Sequence, residues 1–477
     1  MQTLHQAALA HLPAAADVAP HYAAPLQLPL YPRTESSIGV VHLGLGAFHR
    51  AHQAMVFDAL LERGDARWGV LGVAMRSTGL ADALAAQGGL YTVQVSSREG
   101  PRWQVVGAVL QTCVAAREPA QVVAAMAAPG TRWVTLTVTE KGYGPALADL
   151  LVQGLAARRA AGLGGLTLAS CDNLSDNGRK LQKLCVDAAA QQDSALARWI
   201  DSACAFPNSM VDRIVPAATA QQRADAARVL GVMDACALGT EGFWEWVIER
   251  RFVDAADGAA LAAVGVTVVE DVKPFEEAKL RMLNGSHTAM ALIGAVLGLS
   301  TIADCVARPA IRRFVYGLMT DVVMPHLQRP GLPAYRDALL ARFDNPQLHH
   351  SVHQIATDSS LKIPFRWQAT ALAQLAAGGS IEPLALATAV WMRYLRGEDE
   401  SGQVYAISDP MGATLQATAQ QHSGDVPGTV QALLAVTSMW GDALPRDARW
   451  ATRVAYWLQS IMQHGVAASL EACCPGY

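Results

Sequence analysis

The sequence of 477 residues is poor in charge, and it lacks the patterns that mark several protein classes. Charged residues make up 16% of the chain and hydrophobic residues 52%, which is enough for a large core and argues against disorder. The net charge of -4 offers no basic surface of the kind that binds DNA or RNA. We therefore expect a small-molecule partner and no nucleic acid.

The sequence also lacks the signatures of metal binding, secretion and membrane insertion. The eight cysteines are scattered without a C-x-x-C pair, and no Cys and His have zinc-ligand spacing, so we expect no metal. The N-terminus has no signal-peptide pattern, and the most apolar run, residues 289–299, is too short to span a bilayer. These absences favour a reduced, cytoplasmic protein without a membrane partner. The oligomeric state stays open, with a monomer allowed.

Stretches typical of strands and helices alternate from Ser37 to about residue 270. Strands are predicted over 38–43, 68–75, 103–110, 132–139 and 166–171, with helices up to about Leu61 and over 119–127 and 146–160. This alternation predicts an open, mainly parallel α/β sheet in a domain over residues 36–270. Residues 1–35 are predicted to be a lead-in. The Ala/Leu-rich periodicity of residues 271–477 predicts a second, mainly helical domain.

A glycine-containing turn follows the first predicted strand. Gly44 and Gly46 stand between that strand and a helix opened by Ala47 and Phe48, where a dinucleotide pyrophosphate can approach the backbone. The third glycine of the usual fingerprint is replaced by His49. Because glycines are common at strand–helix turns, this truncated motif is weak by itself.

The second predicted strand ends without the carboxylate that usually holds the adenosine ribose of NAD. Arg76 stands there instead, and it can stack on adenine, hold a 2′-phosphate, or simply be a solvated loop residue. On these residues the cofactor preference stays open; we expect NAD, and NADP is not excluded.

Residues 274–288 carry four polar side chains that share one face of a predicted helix. At about 100° per residue, Glu276, Lys279, Asn284 and His287 fall within an arc of roughly 140°, which leucines share. A buried face with a carboxylate, an amine, an amide and an imidazole is costly unless these groups have partners or a chemical task. A salt-bridged helix, with Glu276 paired to Lys279, explains the spacing equally well.

These side chains suit the oxidation of a secondary alcohol. The hydroxyl proton must leave while a hydride passes from carbon to the nicotinamide, and a desolvated, neutral Lys279 can accept that proton. Asn284 can donate to the developing alkoxide. His287 can orient the substrate, and Glu276 can relay the proton to solvent. None of the ten tyrosines is followed four residues later by lysine, which excludes the Tyr-x-x-x-Lys base and leaves Lys or His.

Several long segments closely resemble the long-chain mannitol dehydrogenase family of mannitol 2-dehydrogenases, arabinitol dehydrogenases, and fructuronate and tagaturonate reductases. The similarity covers nearly the whole chain. The matching segments are 41–54 (VHLGLGAFHRAHQA), 137–143 (TVTEKGY), 170–178 (SCDNLSDNG), 206–216 (FPNSMVDRIVP), 271–287 (DVKPFEEAKLRMLNGSH), 356–364 (ATDSSLKIP) and 391–402 (WMRYLRGEDESG). The resemblance implies a Rossmann-type, doubly wound N-terminal domain, a mainly α-helical C-terminal domain and an active site between them.

The resemblance also implies roles for single residues. The family's base, in the motif K-x-x-x-x-N-x-x-H, corresponds to Lys279, and its alkoxide-stabilising asparagines correspond to Asn284 and Asn173. The family's nearby histidine and its proton-relay glutamate correspond to His287 and Glu276.

Further matches concern the cofactor and the substrate. Glu140 matches a position expected beside the cofactor, whereas Asp212 and Lys362 match positions expected beside the substrate. Asn173 can instead cap the helix after its strand, and Asp212 can pair with Arg213. Each of these positions therefore has a structural explanation as well as a functional one.

Within the family the sequence resembles fructuronate reductases most, so D-mannonate and D-fructuronate are the expected substrate pair. We expect Lys362 or Arg366 to hold the substrate carboxylate. A mannitol or arabinitol dehydrogenase is the alternative, and a non-catalytic nucleotide-binding sensor is a remote one. The chain departs from NAD-preferring mannitol enzymes at Thr78 and Gly79, where those carry acidic residues, and it lacks an insertion after Tyr143.

Overall fold

The computed structural model describes residues 3–9, 26–97, 100–346, 350–422 and 424–474. The chain divides into two units, one up to Val272 and the other from Lys273 onward. In these ranges the N-terminal unit contains three sheets, and the C-terminal unit is helical. No helix within the described ranges is long and apolar enough to cross a membrane.

The N-terminal unit is built on a central sheet of five parallel strands. The strands of the unit are β1 Leu26–Gln27, β2 Ile38–Leu43, β3 Gly69–Ala74, β4 Tyr91–Ser97, β5 Gly100–Val106, β6 Val109–Val114, β7 Trp133–Leu136, β8 Thr167–Ser170, β9 Ser209–Asp212, β10 Leu238–Glu241, β11 Glu245–Glu249 and β12 Thr267–Val269. The central sheet has the order β6-β3-β2-β7-β8. From β2 the chain adds β3 and β6 on one side of the sheet and then returns to add β7 and β8 on the other side. Open α/β sheets bind their ligands at the point where the strand order reverses in this way, which here lies beside β2.

The two smaller sheets of this unit mix parallel and antiparallel pairs. One has the order β1-β5-β4-β10, with β4 and β5 antiparallel, and the other has the order β12-β11-β9, with β9 and β11 antiparallel. The helices of the unit are Gln6–Leu9, Ala47–Ala51, Gln53–Glu62, Gly79–Ala86, Pro119–Met126, Pro145–Ala160, Asn177–Ala190, Ser194–Ala203, Ala220–Leu230 and Ala256–Ala263, with 3₁₀ turns at Arg33–Glu35, Ala66–Trp68 and Glu140–Gly142.

Both faces of the central sheet are buried. On β2, Val40 packs in a cluster with Phe57 and Trp68, whereas Val41 belongs to a different cluster that includes Leu151. Neighbouring residues of a strand point to opposite faces, so these two clusters are the cores on either side of the sheet. This double burial explains why the strands read as continuous apolar runs.

The single strand predicted over 103–110 is wrong, because the chain forms β5 and β6 with a break at Gly107. The amide of Gly107 donates to Asp58 at 2.8 Å, and its carbonyl accepts from Arg33 at 2.8 Å. Both backbone groups are thus bonded to side chains instead of a neighbouring strand. As a result, β5 joins the second sheet and β6 the central one.

The single helix predicted up to Leu61 is also two helices, with a break at His52. Its φ of -130° and ψ of -89° leave the helical region, and the chain resumes as Gln53–Glu62. The Arg33 side chain, from the predicted lead-in, bonds the carbonyls of Gly88 at 2.7 Å and Val109 at 2.9 Å. Part of that lead-in is therefore built into the N-terminal unit.

The described part of the C-terminal unit is made of helices without a β-sheet. The α-helices are Lys273–Ala278, Gly285–Val296, Ile302–Val306, Pro309–Gly317, Leu332–Phe343, Val352–Ala356, Ser359–Ile363, Ala369–Ala377, Glu382–Tyr394, Gly412–Gln421, Val426–Leu434, Thr437–Trp440, Ala443–Arg446 and Ala448–Cys473, which is kinked at Gly465. Three segments are π-helical, Lys279–Asn284, Leu318–Val323 and Pro364–Gln368, and Met324–His326 is a 3₁₀ turn. The predicted fold class, a Rossmann-type domain followed by a mainly helical one, is confirmed.

Candidate functional site

The turn after β2 has the geometry that a dinucleotide site requires. Gly44 has a φ of +106°, and a Cβ there would lie 2.2 Å from the carbonyl oxygen of Thr137. Gly46 is the N-cap of the helix Ala47–Ala51 and, having no side chain, leaves the first amides of that helix uncapped. A pyrophosphate can accept hydrogen bonds from such amides, so the residues present fit a dinucleotide.

His49 replaces the third glycine and packs against the strand in a different way. Its ring stacks on the ring of His42 in β2, with centroids 3.3 Å apart and planes 11° apart. Both rings are fully buried, and burial lowers the pKa of His42 to about 3. Burial, together with the charge that His42 would carry, holds the pKa of His49 well below its usual value. The stacked, uncharged rings of His42 and His49 thus let the helix pack closely on β2, which the third glycine of the fingerprint normally does.

Other predicted cofactor residues follow neighbouring strands of the same parallel sheet. Arg76 lies just beyond β3 and Glu140 just beyond β7, and both are exposed. Phe48 is half-buried, and its ring stacks on that of His52 at 5.0 Å. Since the carboxyl ends of parallel strands meet at one edge, these residues share the edge of the glycine turn.

Asn173 lies beyond β8 at that same edge and is exposed. It does not cap the next helix, because that helix begins at Asn177 with Asp176 as its N-cap. Asn177 bonds the carbonyls of Asp172 at 3.1 Å and Ser209 at 2.8 Å, which ties the loop of Asn173 to β9.

Asp172 organises this edge, and it was not among the residues predicted from the sequence. Its carboxylate accepts hydrogen bonds from the amides of Val138 at 3.2 Å and Thr139 at 2.7 Å, and from the hydroxyl of Tyr143 at 3.0 Å. Burial raises the pKa of Asp172, and these hydrogen bonds oppose the increase. Asp172 therefore fixes the loop that carries Glu140 and stands beside Asn173. An acid directly after a predicted strand was the signal in the sequence.

Asp212 ends β9 and is buried. The guanidinium of the next residue, Arg213, donates to the carbonyls of Ala51 at 2.5 Å and Glu241 at 3.0 Å. These bonds give Arg213 a structural role between the helix Ala47–Ala51 and β10.

In the C-terminal unit, Lys279 and Asn284 begin and end a π-helical turn. The prediction of a regular α-helix here is wrong, since the chain changes from α- to π-helix at Lys279 and back at Gly285. In a π-helix the amide of residue i+5 bonds the carbonyl of residue i, so residues five apart lie about one turn apart. A regular α-helix would separate these two side chains by roughly 140°. The π-turn therefore brings the amine and the amide closer to one face.

His287 lies in the α-helix that follows, against two aromatic rings. Its ring centroid is 5.4 Å from those of Phe343 and His350, and its Nε2 is buried without a hydrogen-bond partner among the residues described. Burial lowers the pKa of His287 well below its usual value, and the basic groups of His350, Arg342, Arg366 and Lys362 lower it further. Burial also lowers the pKa of His350 to about 4, so both imidazoles are uncharged near neutral pH.

The two predicted carboxylate-binding residues lie four positions apart beside this histidine. Lys362 donates from Nζ to the carbonyl of Ile355 at 3.2 Å, and burial, then the charge of Arg366, lowers its pKa. Burial lowers the pKa of Arg366 to about 10. Arg366 donates from Nη1 to the carbonyl of Asn284 at 3.2 Å and to the hydroxyl of Thr288.

Glu276 and Lys279 are both half-buried, as are Asn284 and His287. Across the part of the chain that the structure describes, no group of three His, Cys, Asp or Glu side chains is placed to hold a metal ion. The segment from Glu276 to His287 thus carries a carboxylate, an amine, an amide and a neutral imidazole.

Two family models match most of the chain. The mannitol dehydrogenase Rossmann domain matches residues 38–257, and the mannitol dehydrogenase C-terminal domain matches residues 271–462. The chain is 38% identical to an Escherichia coli (strain K12) protein named D-mannonate oxidoreductase, over 94% of this chain and 98% of that protein. It is 36% identical to a mannitol 2-dehydrogenase of Phaeosphaeria nodorum, over 93% of this chain and 82% of that protein.

A solved structure of a mannitol 2-dehydrogenase is also similar to this chain. The mannitol 2-dehydrogenase of Pseudomonas fluorescens, in a ternary complex with NAD and D-mannitol, is similar with a TM-score of 0.79. The identity is 30%, and the similarity covers 100% of both chains.

Proposed function

The chain belongs to the mannitol dehydrogenase family of oxidoreductases, and we propose that it interconverts D-mannonate and D-fructuronate with NAD. The observation that carries this choice of substrate is the pair of basic side chains Lys362 and Arg366, four positions apart. Arg366 is hydrogen-bonded to the carbonyl of Asn284, and Lys362 to that of Ile355. Two such groups beside the proposed alkoxide donor suit a substrate that bears a carboxylate. The similarity to a protein named D-mannonate oxidoreductase over nearly the full length supports the same choice.

The glycine turn is the proposed site of the cofactor. Gly44, Gly46, Ala47 and Phe48 would hold the pyrophosphate at the helix N-terminus, and Arg76 and Glu140 would contact other parts of the dinucleotide. When bound, NAD supplies the acceptor for the hydride that leaves the substrate carbon. The solved relative that contains NAD supports NAD over NADP.

Proton transfer is assigned to Lys279. Its uncharged amine accepts the proton of the substrate hydroxyl as the carbon loses its hydride, and Glu276 passes that proton on to solvent. In the opposite direction, the ammonium of Lys279 returns a proton to the carbonyl oxygen.

The oxygen that gains negative charge needs donors. We assign this role to the amide groups of Asn284 and Asn173, since a fixed hydrogen-bond donor lowers the cost of the alkoxide. His287, which is uncharged, orients a substrate hydroxyl through Nε2 without repelling the nearby cations. Asp212 is proposed to accept a hydrogen bond from a further hydroxyl of the substrate.

Lys362 is the preferred ligand of the substrate carboxylate. Its ammonium has three protons, and the bonds to the carbonyl of Ile355 at 3.2 Å and to the hydroxyl of Thr357 at 3.5 Å leave one of them for a substrate. Nη1 of Arg366 already serves Asn284 and Thr288, so Arg366 is the weaker choice. An anion beside Lys362 would offset the burial that lowers the pKa of this lysine.

A neutral polyol is the second candidate, because the similarity to the mannitol 2-dehydrogenase structure covers both chains completely. A panel of D-mannonate, D-mannitol and D-arabinitol, each assayed with NAD and NADP, distinguishes the two. We expect kcat/KM for D-mannonate with NAD to exceed that for D-mannitol by roughly 10- to 100-fold. This ratio corresponds to the free energy of one hydrogen bond to a charged group.

The control for this assay is Lys362→Met, which keeps the length of the side chain and removes its charge. We expect it to lower kcat/KM for D-mannonate much more than for D-mannitol. A higher kcat/KM for D-mannitol than for D-mannonate in the unmodified enzyme would overturn the proposed substrate.

A further inference from the structure

Two π-helical segments of the C-terminal unit are joined by side-chain hydrogen bonds. Trp367, in the segment Pro364–Gln368, donates from Nε1 to the carbonyl of Gly285 at 3.1 Å. The preceding Arg366 donates to the carbonyl of Asn284 at 3.2 Å. The two carbonyls that are bonded in this way are consecutive, and they stand where the π-turn of Lys279 and Asn284 ends.

These bonds occur where the backbone changes its hydrogen-bond pattern. Within the π-turn an amide bonds the carbonyl five residues earlier, and in the following α-helix it bonds the carbonyl four residues earlier. The amide of Gly285 bonds the carbonyl of Leu280, five residues earlier, so the π-turn ends at this residue. A carbonyl oxygen can accept two hydrogen bonds, so the carbonyls of Asn284 and Gly285 can each take a side-chain donor as well as a helical amide. A π-turn is rare and occurs mostly as a single turn inside an α-helix, often at a functional site.

Burial strengthens one of these two hydrogen bonds, and charge strengthens the other. Trp367 is 1% exposed and Gly285 is buried, so water does not compete for that carbonyl. The bond from Arg366 is charge-assisted, which strengthens it. Thr288 is fully buried and accepts from the same guanidinium nitrogen, which fixes the guanidinium beside the first turn of the helix.

We propose that Arg366, Trp367 and Thr288 form a clamp that holds the π-turn in the shape in which Lys279 and Asn284 act on one substrate oxygen. The inference rests on the proposed function, because it assigns the clamp to the alcohol–ketone reaction. All three are positioning residues. Without the clamp the end of the π-turn is held less firmly, and the amine and the amide lose their fixed directions relative to one another.

The clamp predicts a kinetic pattern that differs from that of a substrate ligand. A residue that binds the carboxylate affects KM and the preference for D-mannonate over D-mannitol. A residue that aligns base and donor affects kcat with both substrates, because misplacement of about 1 Å can cost 100-fold in rate. The ratio of kcat changes to KM changes therefore separates the two roles for Arg366.

Trp367→Phe and Thr288→Val test the clamp, because each removes one hydrogen-bonding group and keeps most of the side-chain volume. We expect kcat to fall by about 10- to 100-fold with D-mannonate and with D-mannitol, while KM changes by less than about threefold. Arg366→Met should act likewise, and Arg366→Lys should recover part of the loss by restoring one donor.

The matched control is Trp450→Phe. Trp450 is fully buried in the same unit, and its Nε1 has no hydrogen-bond partner within the described chain, so the substitution deletes the same atoms and no bond. We expect its kcat to stay within about twofold of the unmodified enzyme. Circular dichroism and melting temperature are measured for every variant, and Thr288→Val decides the question if Trp367→Phe does not fold.

The clamp is refuted if folded Trp367→Phe and Thr288→Val keep kcat within twofold, or if they lose affinity and substrate preference instead. It is also refuted if Trp450→Phe lowers kcat as much as Trp367→Phe does. A failure of the proposed function looks different, since the unmodified enzyme would then show no NAD-linked turnover of any polyol or sugar acid.

Discussion

At the scale of single residues, Gly44 is a position where only glycine fits. Its φ of +106° and the 2.2 Å that would separate a Cβ from the oxygen of Thr137 both exclude a side chain. At Gly46 the nearest atom to a Cβ is the carbonyl oxygen of Gly44 at 3.7 Å, which is an ordinary contact. The first glycine is therefore required by the fold, whereas the second is not, and its proposed role is to let the cofactor approach the helix.

This difference gives a prediction for the two glycines. Gly44→Ala should destabilise the cofactor-free protein by about 1–3 kcal/mol from backbone strain alone, with the steric clash adding to it. Gly46→Ala should leave the melting temperature of the cofactor-free protein nearly unchanged and weaken NAD binding by about tenfold or more. Thermal unfolding and NAD titration measure the two effects. Unchanged NAD affinity in Gly46→Ala would show that this turn does not hold the cofactor.

The sequence predicted the glycine turn because a turn between a strand and a helix is a local feature. It did not predict Asp172, whose partners Val138 and Thr139 lie more than thirty positions earlier. Those hydrogen bonds exist because β7 and β8 are neighbours in the sheet, and strand order is not written in local periodicity. The roles of Lys279 and Asn284 remain predictions that rest on family resemblance and helix geometry.

At the scale of elements, the π-turn shows where periodicity fails. An inserted π-turn shifts every following side chain around the helix axis, so a fixed 100° step cannot place His287 relative to Lys279. The strand predicted over 103–110 failed for a similar reason, because distant Asp58 and Arg33 bond the backbone at Gly107. The strand β2 was predicted with its observed bounds because its apolar, β-branched run is a local feature of the sequence.

The contact between β2 and the next helix also makes stability depend on pH. His42 and His49 are neutral in the folded protein because burial lowers both pKa values, whereas in the unfolded chain they titrate near 6.5. As pH falls below about 6.5, the unfolded state binds these protons first, so stability is lost. Asp58, whose folded pKa is raised to about 6, acts in the opposite direction between about 6 and 3.8.

His49→Phe isolates this effect, because a phenyl ring can still stack on His42 but cannot be protonated. Urea unfolding between pH 6 and 5 should show that the free energy of unfolding of the variant falls less steeply. The two slopes should differ by about 1.4 kcal/mol per pH unit, because the wild-type chain binds one more proton on unfolding than the variant does. Equal slopes for the two proteins would mean that His49 is protonated in the folded state.

At the scale of the whole molecule, the two units supply different parts of the proposed reaction. The residues proposed to hold the cofactor, and Asn173, lie in the N-terminal unit, whereas Lys279, Asn284 and His287 lie in the C-terminal unit. The family models match each unit separately, over residues 38–257 and 271–462. The fold class was predictable because alternating strands and helices give way to a long helical region near residue 270.

The central claim is that Lys279 is the base, and Lys279→Ala tests it most directly. The rate of NAD reduction by D-mannonate is compared with that of the unmodified enzyme and of Lys180→Ala, an exposed lysine in the N-terminal unit. We predict a loss of about 100- to 10,000-fold in kcat for Lys279→Ala, with unchanged NAD affinity and with full activity in Lys180→Ala. A kcat for Lys279→Ala equal to that of the unmodified enzyme would contradict the account.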